Sequence, residues 1–164
     1  MTRAALFGKL PAHGDFVSRG LAAAERDPLD AWLSASLADA RRRCGEAFDV
    51  LFDSAPAWRF AEGGRVGAVA ASMDKAGRRF PLWLAVGSAD AGDCEDLLYR
   101  ALAQGWDADR LLARAAALPA EPGSPLREGW WIEDAAGALV AQSPHPRPAD
   151  LLHAMLTVRE KVAL

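Results

Sequence analysis

The sequence predicts a single α/β domain over residues 1–164, in which a mixed, largely antiparallel sheet is sandwiched by helices on both faces. Three observations predict it. Arg65 to Ala71 and Phe80 to Gly87 are apolar with no in-out alternation, the mark of strands buried on both sides. Only a short charged segment joins these two runs, so they can pair directly as an antiparallel hairpin. The segments on either side place apolar residues at helical spacing, which supplies the covering layers.

In chain order, Ala4 to Gly8 reads as a first strand, stopped by Gly8 and by Leu10-Pro11, because a residue before proline prefers extended geometry. A long helix is expected from Asp27-Pro28, with Asp27 as N-cap and Pro28 at the first helical position. Its apolar stripe is Leu29, Trp32, Leu33, Leu37, Ala40, Cys44, Ala47, Phe48 and Leu51, with Gly45 either ending it or tolerated near its end. Trp58-Arg59-Phe60 reads as a short strand leading into a Gly63-Gly64 turn. Pro81 cannot donate to a ladder, which places it at the start of its strand or on an edge.

Two helices follow, one carrying Cys94, Leu97, Leu98, Ala101 and Leu102, the next Leu111, Leu112, Ala115 and Leu118. Pro119, Pro122 and Pro125 separate them from a strand at Trp130-Trp131-Ile132. The Ala136-Gly137 turn folds that strand back on Ala138 to Ala141 as a last hairpin. A final amphipathic helix runs from about Pro148 through Leu151, Leu152, Met155 and Val158. There is no internal repeat and no stretch long enough for an interdomain linker.

Composition excludes several functions. Hydrophobic residues make up 51% and charged residues 25% of the chain, a globular balance. A net charge of -3 argues against a broad nucleic-acid footprint, and the one basic triplet, Arg41-Arg42-Arg43, lies in a helical pattern where a solvated face explains it. No apolar run is long enough for a membrane span, and Met1 to Phe7 is too short for a signal peptide, so a cytoplasmic protein is expected. The two cysteines, Cys44 and Cys94, sit on helical stripes and read as buried small hydrophobes.

The chemistry concentrates in two Gly-rich charged segments, 8–16 and 72–82. Gly8-Lys9 follows a strand, but the earlier glycine and the following Ser or Thr of a phosphate loop are absent. Ser72 with His13 and Asp15 or Asp74 offers the residue types of a hydrolase triad, yet Ser72 has no Gly-x-Ser-x-Gly elbow. His13, His145 and His153 lack the spacing of a metal site, and no metal or cofactor is expected. Core packing accounts for Trp32 and Trp83, whereas adjacent Trp130 and Trp131 must point to opposite faces of their strand. Gly8, Gly14 and Gly77 suit turns, and Asp15 and Asp74 suit turn caps that Lys9, Arg78 and Arg79 can pair with. The segments therefore read either as a brace that fixes the fold or as a mixed-charge surface at one end of the sheet that binds a partner.

The same residues resemble a known family. Gly8-Lys9-Leu10-Pro11 with Gly14-Asp15-Phe16-Val17 is similar to the opening of the TagF family of type VI secretion-associated proteins. The Trp-containing helix (Leu29-Asp30-Ala31-Trp32-Leu33), Trp58-Arg59-Phe60, the set Ser72, Asp74, Gly77, Arg78, Phe80, Pro81 and Leu82, and the Trp130-Trp131 pair follow in the family's order. Ala71 and Met73 stand where the family pattern has Pro and Val. The resemblance implies a non-enzymatic cytoplasmic regulator that represses assembly or firing of the type VI secretion system. It implies action through protein binding, in some systems to a forkhead-associated scaffold protein, against or alongside a threonine kinase pathway. No phosphatase domain of the kind fused to some members is present, so dephosphorylation is not expected. The partner-binding candidates are Lys9, His13, Asp15, Asp74 and Arg78, and the alternatives are a small serine hydrolase using Ser72 and His13 or a structural accessory subunit of the apparatus.

Overall fold

Strand β5 (Leu82–Val86) sets the architecture, because every one of its side chains is buried. Trp83 and Ala85 enter one core while Leu82, Leu84 and Val86 enter the other, the period-two alternation of a pleated strand with a layer on each side. Around it, in a computed structural model that describes residues 3–121, 128–144 and 147–162, β1 (Ala4–Gly8), β2 (Val17–Arg19), β3 (Trp58–Glu62), β4 (Arg65–Ala70), β6 (Gly129–Glu133) and β7 (Leu139–Ser143) complete one sheet. Its order is β2-β1-β5-β4-β3-β6-β7, and every neighbouring pair is antiparallel. Pro122, Pro125 and His145 lie outside the described residues.

The helices divide between the two faces. On one side α1 (Ala23–Cys44), α2 (Phe48–Asp53) and α5 (Leu151–Val162) cover Phe60, Trp83 and Trp130. On the other, α3 (Ala91–Gln104) and α4 (Ala108–Ala116) cover Leu6, Val66 and Leu84. Both charged-loop strand ends, the central hairpin, the last hairpin and the helices on two faces agree with the sequence expectation. Pro81 stands just before β5, where its missing N–H costs the ladder nothing. Trp130 is buried under α1, whereas Trp131 points to the α3–α4 side and is half-buried.

Two expectations need correction. Helix α1 begins at Ala23, not at Asp27-Pro28, and Pro28 lies inside it. The earlier start is fixed by Glu25, whose Oε1 accepts from the Ala22 N–H at 3.4 Å, and by the Arg26 N–H donating to the Ala22 carbonyl at 2.9 Å. Pro28 then removes one bond near an exposed helix end, where water reaches the carbonyl left over. The stripe also breaks after Cys44: Gly45–Ala47 is a 3-10 turn that leaves Ala47 exposed and re-aims the chain so that Phe48 and Phe52 enter the core. Strand β2, only three residues long, is an addition that the pattern did not predict.

Close packing of the central strands leaves no room at Gly67 in β4. A Cβ there would collide with the Leu84 carbonyl of β5 and the Phe60 ring. Gly67→Ala should therefore destabilise the domain by about 2 kcal/mol or more, the scale of an overpacked core. Chemical denaturation checks this, and a midpoint equal to that of the natural chain would show that the sheet relaxes freely there.

Candidate functional site

Sheet register brings the two charged segments together. Leu82, the first residue of β5, lies between Gly8 of β1 and Ala70 of β4. The β1–β2 and β4–β5 connections therefore leave the sheet side by side. They touch through Gly8, which has φ +136 and faces the Pro81 carbonyl so closely that no Cβ fits. A backbone bond from the Lys75 N–H to the His13 carbonyl, 2.8 Å, ties the loops again further out.

Asp74 is the centre of the cluster, with its carboxylate wholly buried. Oδ1 accepts from the backbone N–H groups of Ala76 at 2.9 Å and Arg78 at 3.0 Å, an Asx-type turn closed by Gly77 at φ +81. Oδ2 accepts from Arg78 Nε at 2.7 Å and lies 3.3 Å from Lys9 Nζ. Arg78 reaches across with its other arm, Nη2 donating to the Gly14 carbonyl at 2.7 Å. Lys9, itself buried, holds its ammonium between this carboxylate and the Phe16 ring, 4.8 Å from the ring centre. Phe16 in turn stacks on Phe7 and meets Phe80 edge-on, although it remains 46% exposed.

Burial pushes the Asp74 carboxyl up, but the Arg78 backbone N–H, the Arg78 guanidinium and the Lys9 ammonium outweigh it and hold the group at about 2, against an ordinary 3.8. A carboxyl lowered in the folded state stabilises that state above its ordinary value, and the contribution disappears as pH falls through the folded one.

The remaining candidates are placed differently. Ser72 is buried and its Oγ donates to the Lys9 carbonyl at 2.6 Å. His13 Nε2 accepts from the N–H of Ala108, the first residue of α4, at 3.0 Å, which puts the ring proton on Nδ1. Asp15 is exposed, and its Oδ1 accepts from the Phe16 N–H at 2.7 Å. Arg79, next to the cluster, forms a fork with Asp53 of α2 at 2.7 Å to each oxygen. His153 lies on α5 against Arg43, away from the loops. Among the described residues no group of three or more His, Cys, Asp or Glu is placed to hold a metal ion, and no helix is long and apolar enough to cross a membrane.

The model of the TagF N-terminal domain, type VI secretion system-associated, matches residues 5–117. The chain belongs to the TagF family. The matched range contains both charged segments, α1 and the central strands, whereas β6, β7 and α5 lie beyond it and still extend the same sheet and core. Among solved structures, PA0076 from Pseudomonas aeruginosa PAO1 is similar over 93% of each chain, with a TM-score of 0.71 and 25% identity. A search of the curated proteins finds no match. This TagF domain is thus type VI secretion-associated by its family and α/β by its structure.

Two features escaped the sequence. One is Phe16 as the lid over Lys9. The other is Arg59 in β3, paired with Glu95 of α3 at 2.8 Å and with Glu133 of β6. An arginine between Trp58 and Phe60, both buried, has to point to the opposite face, and that was a readable signal. Glu95 is raised by burial, an effect that the Arg59 guanidinium opposes. Cys94 is fully buried and burial pushes its thiol up to about 12, so it stays protonated.

Two outcomes follow for the loop cluster. Asp74→Asn should lower stability at neutral pH and flatten the acid-induced loss between about pH 4 and 2, because the group that titrates there is gone. Equal acid slopes in urea titrations of both proteins would detach Asp74 from that transition. Ser72→Ala should cost about 1–2 kcal/mol by stranding the buried Lys9 carbonyl, measured by the same titration at pH 7.

Proposed function

We propose that this TagF domain is a non-enzymatic, cytoplasmic regulator that represses assembly or firing of the type VI secretion system by binding a protein component, with a forkhead-associated scaffold as the partner. One observation carries the binding reading. The polar groups that a hydrolase would need are engaged in holding the loops, Ser72 by the Lys9 carbonyl and His13 by the Ala108 N–H. What remains outward at the same end is Asp15, Phe16, Lys75 and Arg78, an exposed aromatic ring ringed by charge.

That composition suits a protein interface, where an aromatic anchor sits within a polar rim. A recess of about 270 Å³ lies beside it, lined by Pro11, Phe52, Ala71, Met73 and Leu102 together with the polar Asp53 and Ser72, and its apolar wall offers an apolar side chain a seat. In this reading the five candidate residues have two tasks. Lys9, Asp74 and His13 fix the loops, while Asp15 and Arg78 make the contact with Phe16. The family supports the type VI setting.

The test is capture of the forkhead-associated component from a strain with an active system. Asp15→Lys and Lys75→Glu, both exposed and outside the buried cluster, should each weaken capture about tenfold or more while the melting temperature stays near that of the natural chain. Undiminished capture by both would remove this surface. Deletion of the gene should raise secretion, and a loss of secretion would make the chain an accessory part. A serine-directed active-site probe should leave the protein unlabelled; labelling lost in Ser72→Ala would restore the hydrolase reading.

A further inference from the structure

On the other helical layer, three guanidiniums converge on one indole. The Cζ atoms of Arg100, Arg110 and Arg114 lie 5.2, 4.7 and 5.4 Å from the ring centre of Trp106. Trp106 is 1% exposed and anchored by its Nε1 donating to Gln104 Oε1 at 3.1 Å, while all three arginines are exposed. Cation–π attraction to the ring holds the guanidiniums in place, but it does not cancel the repulsion among three like charges. Arg110 and Arg114 stand at the i,i+4 spacing at which like charges destabilise a helix.

The fold had carboxylates at hand and does not use them here. Asp107 precedes Arg110 at pairing distance along the helix, yet its Oδ1 accepts from the Arg110 backbone N–H at 2.8 Å as the cap of α4. Asp109 pairs with Arg19 at 2.8 Å. Asp96 stands four residues before Arg100 on α3 and forms no ion pair with it. Among the described residues no carboxylate comes within ion-pair distance of any of the three arginines.

We propose that the Arg100–Arg110–Arg114 cluster is a docking site for an acidic peptide segment of a protein partner. Charge complementarity selects the occupant: guanidiniums spaced around one ring match successive carboxylates, each with a planar fork for a planar group. A nucleic acid fits less well, because the indole is covered and no exposed ring in the cluster can stack a base, and because the chain carries a net charge of -3. The site is separate from the Phe16–Arg78 face and uses neither of its side chains. His13, whose Nε2 accepts from the Ala108 N–H, and Arg19, paired with Asp109, connect α4 to the strand pair that carries the first loop.

A fluorescein-labelled hexaglutamate peptide serves as the probe, titrated by anisotropy against the full chain at low salt, with a hexaserine peptide and a short DNA duplex as comparisons. Binding of hexaglutamate alone is expected, weakening with added salt. Arg100→Gln, Arg110→Gln and Arg114→Gln together should weaken it about tenfold or more, the scale of losing a charge-assisted hydrogen bond, and each single variant by less. The single variants keep the test decisive if the triple variant misfolds. Lys75→Glu, exposed on the loop surface, should bind the peptide as the natural chain does, which keeps this result apart from the fate of that surface. The proposal is overturned if the natural chain ignores hexaglutamate, if the arginine variants bind it unchanged, or if the duplex binds more tightly.

Discussion

The pairing of β5 with β1 on one side and β4 on the other is the constraint from which the loop cluster follows. Antiparallel pairing on both sides makes β1 and β4 run the same way, so both finish where β5 starts. The β1–β2 and β4–β5 connections have to share that end. Two loops with buried lysine and aspartate would be unstable apart, since each charge would be desolvated without a counter-charge. Side by side they neutralise each other, and the sheet register is what places them so.

The cluster is over-determined in the physical sense. Two backbone N–H groups, a guanidinium and an ammonium converge on the Asp74 carboxylate, and the guanidinium and ammonium each have a second partner, Gly14 or Phe16. Removing one partner of such a group leaves the others wrongly balanced, so single truncations are costlier than surface ion pairs would suggest. Exposed pairs elsewhere, such as Arg26 with Asp27, have no such connections.

How far the sequence was legible depended on how local each determinant was. The doubly buried hairpin at 65–87 was readable because absence of alternation is a property of the run itself. The start of α1 was misread because Asp27-Pro28 has the composition of a cap, whereas the actual start depends on Glu25 reaching back to Ala22. Strand β2 has three residues, too few to show a period, and exists because β1 offers it an edge. In the cluster, residue types and turn chemistry were readable, and so was the chance that the loops meet. Burial of Lys9 and Asp74 was not, because a charged residue reads as exposed until its partner, here more than sixty positions away, is brought to it. Family motifs carried the functional setting, which residue types alone left open between brace and binding surface.

Arg78 illustrates what such bracing means for recognition. An arginine on a surface loop ordinarily samples many rotamers, and immobilising it on binding costs about 0.5–1.5 kcal/mol. Here Nε is fixed by Asp74 and Nη2 by Gly14, while the side chain stays 62% exposed. Its outward face is already preorganised before any encounter, so the entropy of ordering it belongs to folding and not to association.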